Sequence, residues 1–400
     1  MRSRKTPFRI GIVDPETNGW AAGPKYIRVM AQSLGKACQA EGVELAEGVE
    51  LYVLCERKAA IYQNHNLRAK IVPVVPPSYF RGEWRLRQLL GIYDKSSLLY
   101  AAREHHISVL LPLHAAPFRA SSLKFIGWIP DFQHVFLPEF FPEAECRYRD
   151  QTFRLLAQRS ALVMVSSQDA LDHFGSFVPE YAHKARVVPF PSLYAYEPFE
   201  ADAVLTQRKF NLPVKFALVA NQFWRHKNHQ VVIDAISQLR RKDVHMHIVM
   251  TGQPVDSRDP NNETTSRILQ AIASAGLVGT ITVLGMVSFE DLTNLMRTAA
   301  VVIQPSRFEG WSTVVQDCKA LGRPLICSDI PVHREQAPQA LGFFPCDRAD
   351  ILADLLAANW TSLEPGPNRA MEEQALAAEH EFARLHGLSL LSICQEAAST

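Results

Sequence analysis

No stretch of this sequence approaches the roughly eighteen consecutive apolar residues that a membrane-crossing helix needs. There is no C-x-x-C pair, and the seven cysteines (38, 55, 146, 318, 327, 346 and 394) are odd in number and irregular in spacing. That disfavours a disulfide framework or a zinc site and leaves reduced thiols as the simplest reading. Neither sign of charge is in excess. The 42 Lys and Arg residues nearly balance 41 Asp and Glu, for a net +1, so no bulk field selects nucleic acid or a membrane surface. The loop holding Gly19 and Gly23 has no G-x-G-x-x-G, which leaves dinucleotide binding unsupported. Short-period repeats and low-complexity segments are also missing. Met1 to Arg9 is basic but leads into an apolar stretch of only about five residues, too short for a signal-peptide core. The expectation is a cytoplasmic protein.

What is present reads as two α/β domains. Four hundred residues exceed what one hydrophobic core usually serves. Short apolar runs at 8–13, 51–54, 71–75, 109–113, 125–129, 162–165 and 186–188 alternate with helical stretches, which argues for a doubly wound parallel sheet. Residues 189–213 carry four prolines and little periodicity, and read as the interdomain connection. A second series follows, with strands at 216–220, 244–250, 280–284, 300–303 and 325–327. Its helices fall near 228–241, 263–275, 288–298, 312–321 and 347–359. Ser288-x-x-Asp291 is a capping-box-like start. A helix-prone tail runs from Arg369 to about residue 398.

The stretch Gln304 to Asp317 organises the second series. It follows a buried strand and precedes a helix whose expected N-cap is Ser312, with Gly322 at the C′ position and Pro324 just beyond. Such a strand-to-helix turn brings backbone N–H groups, the positive end of a helix dipole and the carboxylate of Glu309 to the ligand edge of a parallel sheet. N–H groups suit a phosphate and Glu309 suits hydroxyls, so a nucleotide sugar would satisfy both. A second cluster, Asn221 to Asn228, lies at the first strand-to-helix turn of the same domain. There Arg225 and Lys227 stand near a helix N-terminus against the usual dipole preference, a conflict that a bound anion would resolve.

These motifs are ordered along the chain as in the group 1 glycosyltransferases, glycosyltransferase family 4, which residues 216–360 resemble. The wordings NQFWRHKNH and FEGWSTVVQD…SDIPVHREQ look like a bacterial branch that builds surface polysaccharide, including lipopolysaccharide. The resemblance implies the GT-B fold, two doubly wound Rossmann-like domains facing across a cleft. It implies an acceptor-binding domain at 1–190, a linker at 191–213 and a nucleotide-sugar-binding domain at 214–364. Residues 365–400 would form a C-terminal helix crossing back to the first domain. Donor contacts would come from Gln222, Arg225, Lys227, Gly252, Val287, Gly310, Trp311, Ser312, Thr313 and Asp317. Glu309, Asp131 and His134 would be catalytic, with Gly19 and Gly23 beside donor and acceptor.

This sequence departs from the family pattern at four places. Gln222 stands where the family has its diphosphate arginine, so Arg225 is the substitute. Asp317 replaces the second glutamate of E-x7-E. Pro130-Asp131 stands where the family has His-Asp, which leaves His134 to supply an imidazole or the role unfilled. The linker reads Pro189-Phe190-Pro191 in place of Asn-Gly. The implied activity is retaining, metal-independent hexosyl transfer. The donor is a nucleotide sugar, with a lean to GDP-mannose, and the acceptor a glycan or lipid-linked glycan. No cofactor, metal or nucleic-acid partner is expected. A GT-B epimerase or phosphorylase, or a degenerate nucleotide-sugar-binding partner subunit, are the competing readings.

Other features point less sharply. His245 and His247 alternate, but no acid or thiol with ligand spacing accompanies them, and packed or surface histidines are the simpler reading. His114 follows a strand and is as well explained by structure as by function. Tyr79, Phe80, Arg81, Trp84, Arg85 and Arg87 either touch an anionic lipid surface at the inner membrane face or form an amphipathic helix packed on its own sheet.

Overall fold

Apolar runs of four to six residues flanked by amphipathic helices can bury both faces of a strand only in a parallel sheet covered on each side. Two such sheets are present. The computed structural model describes residues 7–14, 23–39, 46–55, 69–74, 96–117, 123–196, 199, 203–256, 258–259 and 261–400. Gly19 and the basic aromatic stretch at 79–87 lie outside them. The chain divides into two units. One comprises Met1–Phe132, Ala144–Leu193 and Phe382–Thr400, the other Gln133–Glu143 and Tyr194–Glu381.

In the first unit, among the described residues, the strands are β1 (Phe8–Val13), β2 (Val49–Cys55), β3 (Lys70–Pro73), β4 (Val109–Leu113), β5 (Lys124–Trp128), β6 (Leu162–Val165) and β7 (Ala185–Val187). They pair in parallel in the order β3-β2-β1-β4-β5-β6-β7. Ile10, Ile12, Val53, Leu110 and Val163 are fully buried.

The second unit holds β8 (Ala217–Val219), β9 (Ile248–Thr251), β10 (Ile281–Gly285), β11 (Val301–Gln304), β12 (Leu325–Ser328) and β13 (Gly342–Phe344). Their order is β10-β9-β8-β11-β12-β13. Reading outward from β8, the order goes one way through β9 and β10 and the other way through β11. That makes the gap between the C-terminal ends of β8 and β11 the topological switch point, where open α/β sheets bind ligands. Ser312 caps helix Thr313–Ala320 by accepting from Val315 N, and Ser288 caps helix Phe289–Thr298 by accepting from Asp291 N. Gly322 has φ +60°, as a C′ glycine should, and a side chain there would strike the Met371 carbonyl.

The structure differs from the sequence expectation in five places. Residues 133–143 group with the second unit, not the first. The segment expected as a plain linker belongs to the second unit from Tyr194 onward and contains helix Ala203–Lys209. That helix is anchored by the Gln207 amide on the carbonyls of Pro213 and Val214, and by Lys209 on Asp291. β9 begins at Ile248, four residues later than its apolar run suggested, and its ladder with β8 opens at the His247 carbonyl, which accepts from Ala217 N. Strand β13 and helix Pro331–Gln336 were too short to leave a periodic signal.

The C-terminal helix runs Arg369–Ser399 and belongs to both units in turn. Within the second unit, Glu372 receives two bonds from Arg297, and Glu379 accepts from Gln316. Within the first unit, Leu390, Leu391, Cys394 and Ala397 are buried, His386 Nδ1 donates to the Pro189 carbonyl at 3.0 Å, and Glu396 pairs with Arg186. None of the described helices is long and apolar enough to cross a membrane.

Candidate functional site

At the switch point two loops meet, Ala220–Asn228 after β8 and Pro305–Ser312 after β11. Gln304, the last residue of β11, is fully buried and ties them together. Its side-chain oxygen accepts from Asn221 Nδ2 at 2.7 Å. Its amide nitrogen donates to Glu309 Oε1 at 2.9 Å, Ser312 Oγ at 2.9 Å and Ser306 Oγ at 3.2 Å. Asn228 adds a second tie. It sits in the left-handed region at φ +54°, and its amide donates to the carbonyls of Pro305 and Cys346. Arg307 N donates to the His226 carbonyl at 2.8 Å. Buried polar groups satisfied this fully fix the position of whatever they hold.

They hold an ion pair. Lys227 Nζ lies 2.6 Å from Glu309 Oε1, with side-chain exposures of 14% and 10%. The two residues that sequence reading assigned to different parts of a donor are therefore each other's partners. Glu309 therefore also has a folding role, beyond the ligand contact expected of it.

Sequence reading also passed over His333. It is fully buried on helix Pro331–Gln336. Ser328 Oγ donates to the Ser306 carbonyl, so toward His333 Nδ1 both Ser328 Oγ (3.1 Å) and Ser328 O (3.0 Å) act as acceptors. The network thus assigns the proton to Nδ1. Burial pushes the imidazole pKa down to about 4, opposed by the charge of Glu309 and assisted by that of Lys227. At neutral pH Nε2 is accordingly an unprotonated acceptor, and no donor among the described residues reaches it.

Around the pair, the other candidates fall into separate neighbourhoods. Ser312 N is held by Gln336 Oε1 at 3.0 Å, and the first-turn amides of Thr313 and Val314 have no acceptor within the helix. Gly310 and Trp311 are half-buried on the loop leading there. Gly252 has φ +153°, and a side chain on it would run into the Asn221 carbonyl, so its glycine is required by the approach of the loop after β9 to the loop after β8. Gln222 is half-buried on the latter loop and its carbonyl accepts from Trp224 N. Val287 and Val314 pack on one cluster with Tyr194 and Leu295. Asp317 reaches the same region: Tyr194, whose hydroxyl bonds Thr293, is pushed well above its usual pKa by burial and then by the charge of Asp317.

Arg225 is not with Lys227. Its Nη1 donates to the Glu139 carbonyl at 3.2 Å and its guanidinium lies 4.5 Å from the Phe140 ring centroid. His226, buried between them in sequence, is pushed well below the usual imidazole pKa by burial and then by Lys227 and Arg258. Asp131 belongs to the first unit and His134 to the second, where His134 is buried with its ring 6.4 Å from that of Phe141. Phe136, on the same segment, stacks on Phe308 at 5.8 Å. Gly23 is the first residue of helix Gly23–Ala37, and His114 packs 4.9 Å from Trp128. His245 pairs with exposed Asp243 and His247 with Thr282, and no metal-holding cluster occurs among the described residues.

Comparison with known proteins gives a family match over part of the chain. Residues 204–358 match the model of the glycosyl transferases group 1. Over 131 residues the chain is 24% identical to mannosylfructose-phosphate synthase of Agrobacterium fabrum, covering 32% of this chain and 28% of that relative. The match therefore spans less than a third of the relative's length. Among solved structures, a glycosyltransferase of Rickettsia africae ESF-5 superposes with a TM-score of 0.65 at 15% identity, covering 98% of this chain and 99% of that one. Anabaena Alr3699/HepE in complex with UDP gives 0.59 at 14% identity, over 96% and 98% of the two chains. The shared fold is GT-B.

Proposed function

We propose, from the match of residues 204–358 to the group 1 glycosyl transferases, that the protein moves a hexose from a nucleotide sugar to a hydroxyl of a glycan or lipid-linked glycan. The observation that carries the reading is the Lys227–Glu309 pair, set between the ends of β8 and β11 beside the N-terminus of helix Thr313–Ala320. A donor diphosphate would be held by the Lys227 ammonium and the first-turn amides of that helix, which then stabilise the charge growing on the leaving group. Glu309, released from part of its pairing, would accept from sugar hydroxyls. Asp317 would take the ribose hydroxyls, with Val287 near the base. Asp131 and His134 stay with Glu309 as the proposed catalytic residues, with Gly19 and Gly23 beside donor and acceptor.

Transfer with retention and without metal is part of the proposal, as is GDP-mannose as a donor. A neighbour of the same fold binds UDP, so UDP-glucose is tested beside it. The setting is proposed to be the cytoplasm, at the inner face of the membrane, in surface polysaccharide synthesis. Incubation with radiolabelled UDP-glucose and GDP-mannose, with and without chelator, tests this. Labelled glycan, or slow release of free sugar, with the anomeric configuration kept supports it. Isomerised donor would indicate an epimerase. Binding without turnover would indicate a degenerate subunit, the competing reading that the departures at Gln222, Asp317 and Pro130 keep open.

A further inference from the structure

Two residues before Lys227 the chain lines a different recess. A cavity of about 220 Å³ is walled by Arg225 and His226 of the loop after β8, by Asp256, Arg258, Asp259, Asn261, Glu263, Thr264 and Arg267 after β9, and by Phe140. Neither Lys227 nor Glu309 lines it. Its size is below the roughly 300–1,000 Å³ of pockets for drug-sized ligands and suits a single ring.

The charges around it are largely matched. Arg258 forms a fork on both oxygens of Asp256 at 2.9 Å, and Arg267 pairs with Glu263. Asp259 accepts from Glu263 N at 3.1 Å and Thr264 N at 2.7 Å, so the amides that open helix Glu263–Ser274 are occupied by a carboxylate of this chain. A phosphate would meet Asp259 where it needs those amides, and is disfavoured. Among the described lining residues Arg225 is the cation with no carboxylate partner, and Phe140 is an aromatic wall. Donors (Arg225, Asn261, Arg267) and acceptors (Asp259, Glu263, Thr264) face one small space of balanced charge. Hydroxyls that donate and accept in turn fit that mixture, and the C–H face of a sugar fits the ring.

We propose that this cavity is a subsite for a neutral sugar ring of the glycan acceptor, separate from the donor pair. The idea rests on the transferase reading given above, and Arg225 then serves the acceptor and not the donor diphosphate.

Saturation-transfer NMR on the full chain tests it, with glucose, glucuronate and inorganic phosphate as probes. Thr264→Trp fills the cavity and Phe140→Ala removes its wall. Circular dichroism confirms that each variant is folded. Glucose is expected to bind the wild type and to lose affinity by about tenfold in either variant, equivalent to about 1.4 kcal/mol, while UDP binding stays within twofold. The proposal is overturned if glucose does not bind, if both variants bind it like the wild type, if phosphate alone binds, or if the variants weaken UDP in place of glucose. Failure of the donor reading shows separately, as a wild type that binds no nucleoside diphosphate.

Discussion

Removing the Glu309 carboxylate is the sharpest perturbation of this site. Glu309→Ala leaves the Lys227 ammonium, 14% exposed, without its counter-charge 2.6 Å away. It also strips one acceptor from the Gln304 amide. At an effective dielectric near 20 the lost attraction is about 6 kcal/mol, and part of it is offset because one fewer ion needs desolvating. Breaking a buried pair from one side costs about 3–5 kcal/mol, and the residual exposure of Lys227 places this case near 3. Lys227→Ala should cost a similar amount. The double variant buries no unpaired charge, so it should cost about 1–2 kcal/mol in total. Urea denaturation followed by tryptophan fluorescence reads this transition apart from that of the first unit once Trp20, Trp84 and Trp128 are replaced by Phe in every protein compared, which leaves Trp224, Trp311 and Trp360 of the second unit. Single-variant losses that simply add in the double variant would refute a functional coupling between the two residues. So would a Glu309→Ala protein as stable as wild type. On the activity side, Glu309→Ala should abolish transfer even at temperatures where it stays folded.

Three further expectations concern other parts of the molecule. Burial holds the imidazoles of His229, His333 and His386 at about 4, below the ordinary 6.5. Their folded pKa values are depressed, so their contribution is present above the unfolded value, is lost as pH falls from about 6.5 toward 4, and amounts to a few kcal/mol each. A denaturation midpoint that stays flat across that window would contradict this. Gly252→Ala should destabilise the second unit by about 2 kcal/mol or more through strain against the Asn221 backbone, and an unchanged urea midpoint would show that the loop yields freely. Deleting residues 382–400 uncovers the partners of Leu390, Leu391 and Cys394. Increased dye binding to exposed apolar surface and a lower melting point of the first unit are expected, and unchanged values of both would refute the packing.

What the sequence determined by itself was the local grammar. The β11 run, the Ser312 and Ser288 caps and the C′ glycine at 322 depend on neighbours within a few residues. So do the helices from 229 to 241 and from 263 to 274. Periodicity and capping chemistry register at that range. Candidate residues could be named for the same reason, because strand-to-helix turns announce themselves. Only the tertiary structure decided which of them meet. That Lys227 pairs with Glu309, 82 residues away, while Arg225 turns to Phe140 follows from the crossover that places β8 beside β11. Gln304, His333 and the 133–143 segment left no sequence signal, since a buried glutamine or histidine is recognisable only by partners that other elements bring to it. The physical difference is one of range: caps and amphipathic faces are settled by bonds within one helical turn, whereas the charge pairing of a site is settled by strand order.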